Sequence, residues 1–204
     1  MKTVNNAMGS EIKITESWLK EKRACEKGVE WFLRQDKRDA VEVIEALIAY
    51  GQNEKTGWAN WLICHVMGWS DRIRYAIYAA EQAIGIFERK FPNEDRPRKA
   101  INAAKSVLEN PSDKNKYLAR SAAHAAHAAY ANAHAAYANA DAAYAAYAAY
   151  AAFAAEAAAH AAYAAAHAAY ANANADAEFR LMKVNIIRYG IWLLNESKKM
   201  EKVK

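Results

Sequence analysis

In the first part of the chain, apolar residues recur every three or four positions, the spacing that lines one face of an α-helix. Thr15 is placed to cap a first helix, on which Trp18, Ala24, Cys25, Val29 and Phe32 share a face up to about Gln35. Asp39 followed by Glu42 resembles a capping box and predicts a second helix over Ala40 to Tyr50, closed by Gly51. The polar segment Gln52 to Lys55 then leads to Thr56, which opens a third helix carrying Trp58, Trp61, Leu62, His65 and Val66 and ending at Gly68. Ser70 or Asp71 caps a fourth, running to about Lys90 with Ile73, Ile77, Ala80, Ile84 and Phe87 inward, and Phe91-Pro92 stops it. Asp95 before Arg96 and Pro97 starts a fifth, because proline's missing N–H costs nothing in a first turn. That helix carries Ala100, Ile101, Ala104, Val107 and Leu108, ends at Asn110-Pro111, and is followed by a cap at Ser112 or Asp113.

The pattern changes from Ser121 to Ala177, where about three residues in five are alanine and no glycine, proline or β-branched residue occurs. Alanine loses no side-chain entropy in a helix, so helix is the predicted state throughout. His127, Tyr130, His134, Tyr137, Asp141 and Tyr144 alternate steps of three and four, as do Phe153, Glu156, His160, Tyr163, His167, Tyr170 and Asn174. Each set draws a stripe of rings along a helix whose other faces are small enough for close packing. Asn-Ala-Asp-Ala occurs at Asn139 and again at Asn174, and Tyr144 to Glu156 are spaced by three throughout, which predicts breaks that divide the region into helices near 113–138, 141–172 and 176–196. The last of these carries Phe179, Met182, Ile186, Ile187, Tyr189, Trp192 and Leu193 as core residues that pack back on the N-terminal helices.

No strand pattern competes. The expected fold is an all-α multi-helix bundle with long, closely packed Ala-rich helices striped by histidine and tyrosine. Its parts are a flexible leader over 1–13, an N-terminal helical bundle over 14–110, the Ala-rich and C-terminal helices over 111–197 on the same domain, and a solvated basic tail over 198–204. The net charge is +5, but Lys and Arg are spread over the flanks and absent between Ser121 and Ala177, which argues against a nucleic-acid surface. The polar start of the chain does not form the core of a secretory signal, and no apolar run outside the Ala-rich stretch is long enough to span a bilayer; a cytoplasmic protein is expected. Cys25 and Cys64 sit in apolar helical settings and read as buried free thiols.

Several chemistries fall away on residue type. No glycine-flanked serine or cysteine elbow and no phosphate-binding glycine loop is present, so the chain is not expected to be an enzyme. His124 and His127, or His127 with His134 and Asp141, have metal-ligand residue types, but residues seven apart lie about 10 Å apart along one helix and need a second helix to meet at an ion. The expectation is therefore no metal and no cofactor. The His/Tyr ladder reads instead as mutually hydrogen-bonded rings between alanine backbones, with His127, Tyr130, His134 and Tyr137 as candidate ligand- or partner-binding positions. The turn Asp95-Arg96-Pro97-Arg98 is either a capped helix start whose arginines bridge to nearby acids, or part of a cluster. In the second case Arg72, Arg74 or Arg120 comes within reach of Arg96 and Arg98 after folding, and the set presents bidentate donors to a carboxylate or phosphate.

The stretch from Phe91 to Ile101, Phe-Pro-Asn-Glu-Asp-Arg-Pro-Arg-Lys-Ala-Ile, together with Ala24 to Phe32, Trp58 to Leu62 and the Ala-rich segment, resembles the all-α immunity proteins linked to bacterial polymorphic toxin systems, with related sequences in phages. The resemblance spans most of residues 20 to 195, and this chain uses His and Tyr where the commoner repeats use Ala, Arg and Trp. It implies a cytoplasmic, non-enzymatic protein that binds a toxin and neutralises it by occlusion. The alternative is a phage-type sponge for a nucleotide immune signal, with arginines on phosphates and tyrosine or histidine stacked on bases. Either way, close-packing alanine helices predict a homo-oligomer.

Overall fold

The computed structural model describes residues 13–49, 53–135 and 175–202, and for 53–54, 83, 86, 90, 126–135, 175–180 and 201–202 the backbone alone. Among these residues the fold is all-α. Eight helices follow one another: α1 Glu16–Glu21, α2 Glu26–Leu33, α3 Ala40–Ala49, α4 Asn53–Val66, α5 Trp69–Lys90, α6 Arg96–Glu109, α7 Asp113–Ala135 and α8 Ala175–Lys202. The only extended pairing among them is a single antiparallel bridge between Lys13 and Asp39.

Several ends form as their residues dictate. Thr15 Oγ1 accepts the Trp18 N–H at 3.2 Å, Asp39 Oδ1 accepts those of Val41 at 2.9 Å and Glu42 at 3.4 Å, and Ser112 Oγ accepts that of Asn115 at 3.3 Å. Each satisfies an N–H that a helix start leaves without an internal partner. Phe91 and Asn110, both preceding proline, end α5 and α6.

Other boundaries differ from expectation. The first helix does not run to Gln35; it stops at Glu21, where Ala24 donates back to the Leu19 carbonyl at 2.9 Å and Arg23 to Lys20 at 3.0 Å. This is a Schellman closure with Arg23, at φ 59°, in the left-handed position that glycine usually fills. α4 begins at Asn53, so Asn53 to Lys55 are helical and not a linker, while Gly68 at φ −66° is the extended N-cap of α5. The leader is bounded more tightly than expected: Lys13 is in the bridge and Ile14 is fully buried. At the other end α8 continues to Lys202, with Lys199 and Met200 exposed and Lys198 Nζ reaching Asp39 at 3.1 Å. The expected breaks near Asn139 and Asn174, and Gly51, lie outside the described residues.

The core has two textures. α8 packs against α3, α4 and α5, burying Ile186, Ile187, Leu193 and Leu194 with Leu62, Ile63, Tyr75 and Ile77. Gly190 marks the tightest point, because a Cβ there would stand 2.9 Å from both Ile63 Cδ1 and the Tyr75 ring. The fully buried Tyr75 keeps its hydroxyl satisfied by donating to Asn60 Oδ1 at 2.6 Å. α6 and α7 form the second texture, an αα-hairpin that buries Ala100, Ala104 and Val107 on one helix and Ala119 and Ala123 on the other. Their short side chains allow close backbone approach over much of the pair. Ser197 Oγ donates to Asp71 Oδ2 at 2.5 Å, a second tie from α8, this time to the start of α5.

Candidate functional site

The fold does not bring Arg72 and Arg74 to the Asp-Arg-Pro-Arg turn. Arg72 and Arg74 sit in the first turns of α5, whereas Arg98 pairs with Glu88 near that helix's other end. Fourteen residues separate Arg74 from Glu88, about 21 Å along the axis. Each motif arginine is instead held by a near neighbour. Arg98 grips Glu88 with two parallel bonds of 2.7 Å, and Arg96 Nε donates to Glu94 Oε1 at 2.7 Å while its second nitrogen meets the other oxygen of the same carboxylate. These bidentate bonds hold the Glu88 and Glu94 carboxyls below their ordinary range and raise both guanidiniums above theirs. Glu94 also accepts the Arg96 N–H at 3.2 Å, so it performs the capping expected of Asp95, which pairs with Lys99 at 2.8 Å. The Asp-Arg-Pro-Arg turn is thus a locked helix start.

Arg74 is bound to Asp71 at 2.7 Å. Arg72 is half-buried, and its Nε–H is the one buried side-chain group without a hydrogen-bond partner among the described residues. Its charge lies near Cys64, whose thiol is pushed up to about 12 by burial and only partly lowered again by that cation. Arg120 is exposed on α7. The backbone of His127, Tyr130 and His134 continues α7, and Tyr137 lies outside the described residues. Among the described residues no three His, Cys, Asp or Glu side chains converge, and no helix is long and apolar enough to cross a membrane.

Two features were not singled out from the sequence. The first is an aromatic ladder on the outside of the bundle. Tyr78 of α5 stacks on Tyr189 of α8 with ring centres 4.1 Å apart, and Tyr189 stacks on Trp192 at 5.6 Å. Trp192, expected in the core, is 53% exposed at the end of this stack, because α8 turns residues 181, 185, 188, 192, 195 and 199 outward. Leu181 on the same stripe is 58% exposed.

The second is a half-open cavity of about 260 Å³ among α1 to α4, walled by Trp31, Trp58 and Trp61 over a floor that includes Phe32. The Trp31 and Trp58 ring centres are 6.4 Å apart at 52°, and Trp18 braces Trp61 edge-on at 6.2 Å. Arg23 and Cys25 stand on its rim, both exposed, so the expectation that both thiols are buried holds for Cys64 alone. A glycine-to-hydrophobic step at Gly28 and the run of tryptophans were the available signals, but helical periodicity places those rings on a buried face without saying that they leave a gap. No protein-family model, curated protein or solved structure matches the chain, so the resemblance to immunity proteins rests on the residues that carry it.

Proposed function

We propose that this chain is a non-enzymatic binding protein of the immunity class, which neutralises a protein toxin by covering it with helix faces. One observation supports this reading above the others: Trp192 is an exposed tryptophan held in place from beneath by two stacked tyrosines. A pre-ordered aromatic ring loses little conformational freedom on binding, and such residues dominate protein interfaces. The arginine pairs at Glu88 and Glu94 contribute to the helix start and not to the interface. Self-association through the alanine-rich helices is part of the proposal, and light scattering at high micromolar concentration reads it.

The Trp192→Ala variant should bind the cognate toxin at least about 10-fold more weakly, with a melting temperature within about 3 °C of the parent. Binding is measured by titration calorimetry against the toxins encoded beside the gene, and affinity for none of them rejects the reading. A second reading, sequestration of a nucleotide signal, is favoured by the exposed Arg188 one turn before Trp192, a cation beside a stackable ring. Native mass spectrometry separates the two: a co-purifying nucleotide supports sequestration, and a protein partner without one supports immunity.

A further inference from the structure

We infer that the tryptophan-walled cavity between α1 and α4 is a binding site for a small planar aromatic acid, with the ring between Trp31, Trp58 and Trp61 and the carboxylate on Arg23. It shares no residue with the Trp192 stripe, so it stands or falls independently of the immunity reading. Size sets the ring system. An engineered apolar cavity of about 150 Å³ takes benzene, so about 260 Å³ accommodates a fused bicyclic ring. The tilted faces of Trp31 and Trp58 and the edge-braced Trp61 offer both of the geometries aromatic rings prefer, offset stacking and edge-to-face.

Charge sets the substituent. Tryptophan faces by themselves favour cations, and an aromatic cage for an ammonium group includes or tolerates that charge. Among the described residues no carboxylate lines the cavity, and the one charged lining residue is Arg23. Arg23 has no ion-pair or hydrogen-bond partner for its guanidinium among the described residues, unlike Arg74, Arg96 and Arg98. It is also the single non-glycine residue with positive φ among them, and that left-handed turn brings the side chain to the rim after α1 ends. Gly28 keeps the wall open: a Cβ there would stand 3.2 Å from the Cys25 sulfur and 3.8 Å from the Trp58 ring.

Cys25 supplies the readout. It is exposed on the rim, whereas Cys64 is buried with its thiol pushed up to about 12, so a neutral alkylating reagent such as iodoacetamide modifies Cys25 alone. The full chain is treated with the reagent in the presence of 2-naphthylacetate, the isosteric 2-naphthylacetamide, or 2-naphthylethylamine, and intact mass follows the alkylation rate. The acid should protect Cys25 saturably, and about 5- to 10-fold more tightly than the amide, with the amine no better than the amide. Arg23→Gln, a change at an exposed position, should bring the acid down to the amide's affinity while leaving the amide unchanged. Absence of saturable protection by all three compounds overturns the site. An amine or amide that protects as well as the acid, or an acid preference that survives in Arg23→Gln, overturns the assignment of an anionic ligand to Arg23.

Discussion

The junction of α8 with α4 and α5 and the junction of α6 with α7 bury helix faces by opposite means. At the first, large side chains fill the space between helices, and one glycine makes room: Ile63 and Tyr75 occupy the volume that a side chain at Gly190 would need. At the second, Ala100, Ala104, Ala119 and Ala123 leave so little bulk that the backbones themselves come close. Specificity differs accordingly. A ring or branched chain fits in few orientations, so the first junction fixes how α8 crosses its neighbours. A small-residue face accepts a neighbouring helix of similar texture more permissively, which suits a region whose sequence continues as alanine, histidine and tyrosine for another forty or so residues.

This contrast can be tested by removing bulk from one junction and adding it to the other. Ile63→Ala should cost about 3–4 kcal/mol in denaturant unfolding, because the fully buried isoleucine leaves a cavity between rigid neighbours. Gly190→Ala alone should destabilise through the clash with Ile63 and Tyr75, and in the Ile63→Ala background its cost should fall by at least about 1 kcal/mol. An additive double mutant would break the claim that Gly190 exists to admit those two side chains. Ala119→Leu should cost about 2 kcal/mol by forcing α6 and α7 apart, and that penalty should be unchanged by Ile63→Ala because the two residues belong to different helix junctions.

The smallest effect belongs to the locked turn that leads into α6. The Glu88 carboxyl is held below its ordinary value of 4.5 chiefly by the hydrogen bonds from Arg98. A carboxyl with a depressed folded pKa adds stability that is fully present above 4.5 and disappears as pH falls through the folded value. Both partners are more than a third exposed, so solvent screening limits the pair to about 0.5 kcal/mol. Glu88→Gln should therefore melt about 1–2 °C below the parent at neutral pH, and the gap should narrow as the pH is lowered below 4.5, as read by circular dichroism. A gap that persists in acid would show that Glu88 acts through packing instead of charge.

The candidate sites were legible to very different degrees. Asp39, Thr15 and Ser112 are polar residues just ahead of apolar runs, and all three cap helices as their position dictates. Ile73, Ile77, Ala80, Ile84 and Phe87 are buried as the three-and-four spacing requires. Of the two readings of the Asp95–Arg98 turn, the one in which its arginines bridge to nearby acids is the one formed, and Arg72 and Arg74 lie too far along α5 to join them. Glu94 stands two residues before Arg96, Glu88 faces Arg98 across the α5–α6 turn, and each acid reaches its arginine before any distant cation does. The expected burial of Trp192 failed. Its residue type suggests burial, but the phase of α8 is set by Ile186, Ile187, Leu193 and Leu194, and a helix cannot turn all its sides inward.

What the amino-acid sequence determined by itself is local: an all-α class, the caps at Thr15, Asp39 and Ser112, and the stops before Pro92 and Pro111, because backbone propensity and capping act within a few residues. What only the tertiary structure decided is which surfaces meet. The break at Arg23, the gap among three tryptophans, the outward stack ending at Trp192 and the return of Lys198 to Asp39 all depend on side chains from separate helices competing for the same space. Periodicity gives a helix its apolar face, but volume and orientation across the junction decide whether that face is filled, left open or turned to solvent.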